Sequence, residues 1–353
     1  MKLRKLHIED YKMFKDFDIS FVDENDEALP IIVLTGVNGS GKTTLLEYLG
    51  KTKKERELLS SAHYKTIDIK ENDCFEFIDN ENTILELTLD KPMRNFRFYA
   101  NNIIYFLSGI DDTKKVADEF VKTFYDFLKN KDYRPSEVKE HFHRYMVDIF
   151  EGLDLTFSYS HLDKEDNVWF VNGEGVEFRM DQLSTGEKTL LSKILYIYFK
   201  DYKDKVILID EPELSLHPSW QNKILSVYER LAEKNNCQII IATHSPHIIG
   251  SAKPEYIRVL KKIDDKIEVA KYTQSYGMEF NKILTDIMGA NTRVSEVSDR
   301  LSELKSMIVQ EKFDSEEFQE IWMELEKLIG ADNIDLRLLK LEIASRKKNA
   351  QNK

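Results

Sequence analysis

Apolar and polar positions change their spacing along the chain, and that spacing separates strands from helices. Residues 2–9 and 16–22 alternate charged and apolar side chains, the period of two that is typical of half-buried strands. Ile31–Leu34 and Val206–Ile209 are instead continuous apolar runs, and Gln238–Ala242 is apolar after its first residue; all three predict buried strands of a parallel sheet. The pattern therefore predicts an α/β core that an antiparallel hairpin precedes.

A second group of segments lies between these core strands. Asp73–Ile78, Thr83–Leu89 and Asn95–Tyr99 alternate like the strands of an antiparallel β subdomain, and Ile103–Leu107 resembles a buried strand. From residue 113 the apolar positions recur at helical spacing, which predicts a helical lobe.

After residue 272 only helical spacing remains. One seam steps by three and four residues like a short coiled coil, and a second stripe follows it. We expect Trp322, Leu325 and Leu328 in that stripe to bury against the ATPase core, another subunit or a partner. The seam consists of Val294, Val297, Leu301, Leu304 and Ile308. We therefore predict a C-terminal helical appendage.

These spacings divide the chain into four regions. Residues 1–110 are predicted to form the first part of lobe I with the antiparallel β subdomain, and residues 111–200 the helical lobe. Residues 201–275 would complete lobe I, and residues 276–353 would form the appendage. A length of 353 residues agrees with more than one compact unit.

Composition narrows the class of protein. No apolar run reaches the roughly 18 residues that a membrane span needs, and the N-terminus lacks the apolar segment of a signal peptide. Cys74 and Cys237 make neither a disulfide framework nor a CxxC pair, so we expect a cytoplasmic protein with no membrane contact. A net charge of −12 argues against a surface coated uniformly for nucleic acid, so such contact would be local or carried by a partner.

The segment GVNGSGKT at Gly36–Thr43 matches GxxxxGK[ST] between a buried strand and a helix. Its glycines let successive backbone N–H groups converge on phosphate oxygens. Lys42 would lie between the β- and γ-phosphates, and the Thr43 hydroxyl would reach Mg²⁺. The candidate nucleotide-binding residues here are Gly36, Asn38, Gly39, Ser40, Gly41, Lys42, Thr43 and Thr44.

Acidic residues follow the apolar run that ends at Ile209. Asp210 would stand at the strand tip and hold Mg²⁺ together with Thr43, and Glu211 would point at a water molecule. A buried strand followed by an acidic loop is the alternative for this stretch taken alone.

Two further motifs have weaker signals of their own. LSTGEK at Leu183–Lys188 places Ser184 at a helix N-cap, and an ordinary capping turn would explain it. His244 follows the buried strand Gln238–Ala242; a lone histidine is more often structural, but at a strand tip it can hydrogen-bond a terminal phosphate.

The four motifs together, in their order along the chain, resemble those of the ABC-type ATPases, specifically the RecF/SMC-like and OLD-like group, over Met1 to about Tyr272. The resemblance implies a P-loop NTPase fold with a mixed sheet, ATP and Mg²⁺ as ligands, and a head-to-tail homodimer. Within it Lys42, Glu211 and His244 would be catalytic. Ser184, Gly186 and Glu187 would grip the γ-phosphate of the nucleotide that the other subunit holds.

The chain is similar, within that group, to the stand-alone ATPases of bacterial anti-phage systems, such as Septu PtuA and the retron-associated ATPases. The resemblance implies work beside a separately encoded HNH-type nuclease, with no nuclease activity in this chain. One departure concerns the glutamine that usually couples to Mg²⁺: none lies between Lys42 and Gln182, and Asn101 or Asn102 are the candidates to replace it. The alternatives are a RecF-like DNA-repair ATPase that binds DNA directly and, less favoured, a transporter motor. Oligomers beyond the dimer stay open.

Overall fold

The computed structural model of the chain describes residues 1–54, 72–79, 81–88, 102–106, 113–130, 133–153, 157–200, 202–270, 276–289 and 294–351. The predicted strand Asn95–Tyr99 lies outside these residues. The chain forms two compact units, Met1–Gly289 and Ala290–Lys353. The division thus falls after Gly289 rather than at residue 276.

The strands all belong to the first unit. In chain order they are β1 (Lys2–Tyr11), β2 (Phe14–Ser20), β3 (Ile31–Thr35), β4 (Cys74–Ile78), β5 (Ile84–Leu87), β6 (Ile103–Phe106), β7 (Phe157–Leu162), β8 (Val168–Asn172), β9 (Glu177–Arg179), β10 (Val206–Asp210), β11 (Gln238–Ala242), β12 (Ile257–Ile263) and β13 (Lys266–Ala270).

Helices alternate with the strands of the first unit and build the second. They are α1 (Lys42–Lys54), α2 (Thr113–Asn130), α3 (Pro135–Ile149), α4 (Thr185–Phe199), α5 (Pro218–Gln221), α6 (Ile224–Lys234), α7 (Pro246–Ser251), α8 (Phe280–Lys282, continued as a π-helix over Ile283–Ile287), α9 (Ser295–Val309), α10 (Glu316–Ile329) and α11 (Ile334–Gln351). Short 3₁₀ turns lie at Met180–Gln182 and Pro254–Tyr256. In the described part of the chain no helix has the length and apolarity that crossing a membrane would require.

The central sheet confirms the predicted mixed α/β core. Among the described residues its strand order is β13-β12-β3-β11-β10-β6, and every pair is parallel except β12 with β13. All residues of β3, β10 and β11 are buried, as their continuous apolar runs predict. Because β3, β11 and β10 are parallel neighbours, the loops that follow these three strands open at one edge of the sheet.

Two antiparallel sheets flank this core. The order β2-β1-β4-β5 contains the predicted N-terminal hairpin, and the order β7-β8-β9 follows the helices α2 and α3. A buried glutamine joins the first of these sheets to the core: Gln238 accepts from the backbone N–H of Leu3 at 2.8 Å and donates to the carbonyls of Leu3 and Leu29 at 3.0 and 2.9 Å. These bonds fix the hairpin against β11.

The second unit has a hydrophobic core of its own. Its buried residues are Leu301, Leu304, Met307, Ile308, Phe318, Ile321, Trp322, Leu325, Leu336 and Leu339. The predicted seam and stripe are buried at most positions. Leu328 is 53% exposed in the single chain, so its burial against another subunit or a partner stays a prediction. Val294, at the first position of the seam, is 70% exposed because it precedes α9.

Candidate nucleotide-binding site

The loop Gly36–Gly41 joins β3 to α1 and needs glycine at two close approaches. Gly36 has a φ of 143°, and a side chain on it would overlap the Leu260 carbonyl oxygen. Gly41 has a φ of 93°, and its Cβ would lie 2.8 Å from Met13 Sδ, in the turn between β1 and β2. The left-handed backbone and the lack of space both exclude other residues at these two positions.

Lys42 starts α1, and its side chain turns back over the loop. Its Nζ donates to the carbonyl oxygen of Gly36 at 2.9 Å and of Val37 at 3.2 Å, and lies 3.4 Å from Ser40 Oγ. Burial lowers the pKa of Lys42 to about 8, against the opposing charges of Asp210 and Glu211. The cation therefore stands within the loop, next to exposed Asn38 and Gly39.

Asp210 and Thr43 meet although 167 positions separate them in the sequence. The Thr43 hydroxyl donates to Asp210 Oδ1 at 3.3 Å. Burial raises the pKa of Asp210 and the Thr43 hydrogen bond opposes this. Adjacent hydroxyl and carboxylate oxygens are a donor set that suits Mg²⁺, whose remaining positions water and phosphate oxygens fill.

Glu211 follows Asp210 in a left-handed backbone conformation, with a φ of 45°. Its N–H donates to the Ala242 carbonyl at 2.8 Å, which continues the pairing of β10 with β11 by one residue. Non-glycine residues in this region of φ carry backbone strain, which persists where the surrounding structure fixes it. The conformation turns the chain away from the sheet immediately after Asp210.

His244 follows β11 at the same edge of the sheet. Burial lowers the pKa of His244, the charge of Lys42 lowers it further, and that of Glu211 opposes both. Its backbone N–H donates to Glu213 Oε1 at 2.7 Å, and the same oxygen accepts from the Thr243 hydroxyl at 2.7 Å. The sequence motifs did not single out Glu213, although it is the second carboxylate after β10 and follows Glu211 by two positions.

The signature segment forms the N-terminus of α4. Ser184 is the N-cap: its Oγ accepts from Glu187 N–H at 3.3 Å, and Glu187 Oε2 accepts from Ser184 N–H at 2.8 Å. This reciprocal pair is a capping box. The Glu187 carboxylate is thus engaged within the helix, whereas Ser184 is exposed.

Gly186 lies under the segment that follows β10. A Cβ on Gly186 would be 2.7 Å from the Ser215 carbonyl oxygen and 3.8 Å from the Trp220 ring. Ser215 itself has a φ of 67°. The structure therefore packs the first turn of α4 against the loop after the Asp210–Glu211 pair.

The predicted site residues fall into two groups. Lys42, Thr43, Asp210, Glu211 and His244 come together at the carboxyl edge of the central sheet through the contacts and charges given above. Among the described residues, no hydrogen bond or ion pair joins Ser184 or Glu187 to the phosphate loop. Of the two candidates for the missing glutamine, residue 101 lies outside the described part, and Asn102 Oδ1 accepts from Lys205 Nζ at 2.6 Å.

Comparison with known proteins agrees with this geometry. The sequence profile of the family described as "AAA domain, putative AbiEii toxin, Type IV TA system" matches residues 47–250, which is more than half of the chain. The chain belongs to this family. The loop Gly36–Gly41 lies just before the matched range.

Individual proteins are also similar in sequence to this chain. The Septu protein PtuA of Bacillus thuringiensis is 26% identical over 369 residues, covering 88% of this chain and 91% of PtuA. The Retron Ec83 probable ATPase of Escherichia coli is 30% identical over 203 residues, which are 54% of this chain and only 36% of that protein. The predicted resemblance to ABC-type ATPases similar to defence ATPases is confirmed.

A solved structure supports the fold class. The SMC head bound to the C-terminal winged-helix domain of ScpA superposes with a TM-score of 0.50 and 15% sequence identity, covering 77% of this chain and 98% of that one. The predicted P-loop NTPase fold of ABC type is thus confirmed, and the chain is an ATPase of this type.

Proposed function

We propose that this ATPase binds Mg²⁺ and ATP at the edge of its central sheet, closes head to tail as a homodimer around two nucleotides, and thereby gates a partner effector. The contact between Thr43 and Asp210 carries the proposal, because it joins the phosphate-loop helix to the acidic strand tip. The partner that fits the resemblance to Septu and retron ATPases is a separately encoded HNH-type nuclease.

The residues of one subunit have separate roles in phosphoryl transfer. Backbone N–H groups from Gly36 to Thr44 bind phosphate oxygens, and Lys42 moves from its carbonyl partners to the β- and γ-phosphates. Thr43 and Asp210 would hold Mg²⁺, which neutralises charge on the phosphates when bound. Glu211 orients the attacking water, and neutral His244 donates a hydrogen bond to the terminal phosphate.

The second subunit supplies Ser184 and Gly186. Ser184 is exposed at the N-terminus of α4, where the helix end favours an anion. Since no described contact brings Ser184 to the phosphate loop of its own chain, we assign it to the nucleotide of the partner subunit. Glu187 then acts through the capping box that holds Ser184 in place.

The remaining parts of the proposal concern partners and location. The chain is proposed not to be a nuclease itself, since its sequence has no HNH pattern and its paired carboxylates Asp210 and Glu211 are assigned to ATP hydrolysis. Cys74 and Cys237 form no disulfide with each other, which fits a reducing cytoplasm. We assign any contact with DNA to the partner effector or to a local patch on the surface of this chain.

Glu211→Gln tests the proposal most directly. The substitution keeps the size of the side chain but removes the anion that orients water, so turnover should fall by about two to four orders of magnitude while ATP binding persists. The ATP-bound protein should then elute as a dimer in size-exclusion chromatography with light scattering. Glu268→Gln, on an exposed position of β13, is the matched control.

Four outcomes would contradict parts of the proposal. Near-normal turnover in Glu211→Gln would show that Glu211 does not orient the attacking water. A monomer with ATP bound would rule out the head-to-tail homodimer around two nucleotides. DNA-stimulated hydrolysis with a steep dependence on salt would favour the RecF-like alternative. DNA cleavage by the purified chain that Glu211→Gln abolishes would show that the chain is itself a nuclease.

A further inference from the structure

Val37 lies in the phosphate loop, and its carbonyl oxygen closes the turn of that loop. The oxygen accepts from the Ser40 N–H at 3.1 Å and from Lys42 Nζ at 3.2 Å. The side chain of Val37 is 40% exposed, so the structure covers it only in part. The position of Val37 therefore affects both the shape of the loop and the lysine that we assign to the phosphates.

A residue far along the chain lies against the side chain of Val37. A Cβ built on Gly289 would be 3.1 Å from Val37 Cγ1, which is closer than side chains normally pack. Gly289 has a φ of 61°, in the left-handed region, and it is the last residue of the first compact unit. The glycine therefore lets the backbone pass close to the phosphate loop where the chain leaves that unit.

Residues 276–289 are anchored in the core of the first unit. The side chains of Ile283 and Ile287 are buried there, and the Met288 N–H donates to the Ile283 carbonyl at 3.1 Å, next to the π-helix. Single π-turns are rare and occur frequently at functional sites. A movement of residue 289 away from Val37 would disturb this packing, so the contact is held from both sides.

The same residues pack against α7, the helix that begins shortly after His244. A Cβ on Gly250 of that helix would be 2.8 Å from Ile283 Cδ1, and the Gly277 N–H donates to the Gly250 carbonyl at 3.0 Å. Residues 276–289 thus contact the phosphate loop at one end and the helix after His244 at the other.

We propose that Gly289 is a positioning residue of the phosphate loop, and that its contact with Val37 couples nucleotide binding to residues 276–289. The inference rests on the proposed function, in which Lys42 leaves the Val37 carbonyl for the phosphates. Loss of that bond changes what holds Val37, whose side chain lies against Gly289. Coupling between two sites is reciprocal, so a change at Gly289 that displaces Val37 must also change the affinity for ATP.

Gly289→Asn tests the contact. Asparagine tolerates a left-handed backbone better than most side chains, so this substitution adds a Cβ against Val37 at little backbone cost. We expect the affinity for N-methylanthraniloyl-ATP, measured by fluorescence titration, to fall by about fivefold or more. Gly277→Asn is the matched control and should bind like the wild type. Gly277 has a φ of 73°, and no atom of the described residues lies within 4 Å of the Cβ it would carry.

Val37→Ala separates a direct contact from a general disturbance of the fold. The substitution removes Cγ1, so the double variant of Val37→Ala with Gly289→Asn should bind the analogue within about twofold of Val37→Ala alone. A loss that is equally large with and without Cγ1 would overturn the proposal. Equal affinities of Gly289→Asn and Gly277→Asn would overturn it as well.

Hydrogen exchange read by mass spectrometry tests the coupling in the reverse direction. Saturating ATP should slow exchange over residues 276–289 in the wild type, because it fixes the loop against which Gly289 packs, and should slow it less in Gly289→Asn. Normal ATP binding without any change in exchange over these residues would overturn this inference alone. Absence of ATP binding by the wild type would overturn the proposed function and this inference together.

Discussion

The carbonyl oxygen of Ser215 occupies the space that a side chain on Gly186 would need. A Cβ on Gly186 would come within 2.7 Å of that oxygen. The contact joins the first turn of α4 to the loop after β10, so the helix that carries Ser184 and the strand tip that carries Asp210 are packed together within one subunit. Ser215 reaches this position through a left-handed backbone, with a φ of 67°.

Gly186→Ala should therefore disturb both stability and turnover. The obstacle is backbone rather than a flexible side chain, so we expect overpacking to cost about 1–3 kcal/mol in the free energy of unfolding. ATP turnover should fall because α4 and the Asp210 loop shift together. Urea unfolding and steady-state ATPase assays measure the two effects. Thr185→Ala, at the exposed neighbouring position, is the control; equal behaviour of the two variants would contradict the packing argument.

Lys42→Ala should abolish tight ATP binding without unfolding the protein. The charge-assisted hydrogen bonds of a lysine to phosphate contribute about 1.5–3 kcal/mol, which corresponds to roughly a 10- to 150-fold loss of affinity. Fluorescent-nucleotide titration measures the loss, and Lys305→Ala, an exposed lysine of the second unit, should bind like the wild type. Unchanged affinity in Lys42→Ala would place the phosphates elsewhere.

Ser184→Arg should separate nucleotide binding from dimer closure. Since we assign Ser184 to the nucleotide of the opposite subunit, a bulky side chain there should leave ATP binding by one subunit intact and prevent hydrolysis. Mixing Ser184→Arg with Lys42→Ala chains should restore at most one composite site per dimer, which a titration of activity against mixing ratio detects. Normal hydrolysis by Ser184→Arg alone would rule out the head-to-tail homodimer around two nucleotides.

Leu304→Ala should destabilise the second unit alone. Leu304 is fully buried in the core of that unit, so the substitution should cost about 2–5 kcal/mol. Hydrogen exchange read by mass spectrometry should accelerate over α9, α10 and α11 and stay unchanged over Met1–Gly289, because each unit has a hydrophobic core of its own. Leu338→Ala, at a position that is 58% exposed, is the matched control. Faster exchange in β3 or β10 would show that the units unfold together.

Local sequence determined the elements that carry the chemistry. The motif of the loop Gly36–Gly41 lies within a few consecutive positions, and the buried strands β3, β10 and β11 are readable from apolar runs of four residues. The N-cap role of Ser184 is local too, since the capping box spans Ser184 to Glu187. For this reason the phosphate loop, the acidic strand tip and the signature turn could all be predicted.

Only the tertiary structure decided which of these residues meet. The order β3-β11-β10 brings Asp210 to Thr43, and no spacing along the chain specifies strand order, because a buried strand presents apolar side chains on both faces to any neighbour. Two further contacts depend on the tertiary structure in the same way. Thr243 and His244 donate hydrogen bonds to Glu213, and Gly186 packs against Ser215.

Burial of single residues depended on the tertiary structure as well. Helical periodicity predicts an apolar stripe but not how far around the helix its partners reach, so Leu325 is buried while Leu328, three residues later, is exposed. Lys193 shows the opposite case: a lysine between apolar residues is normally placed at the edge of a stripe, with its charge in water. Here the packing of α4 encloses it, and burial lowers the pKa of Lys193 against the opposing charges of Glu213, Asp210 and Glu211.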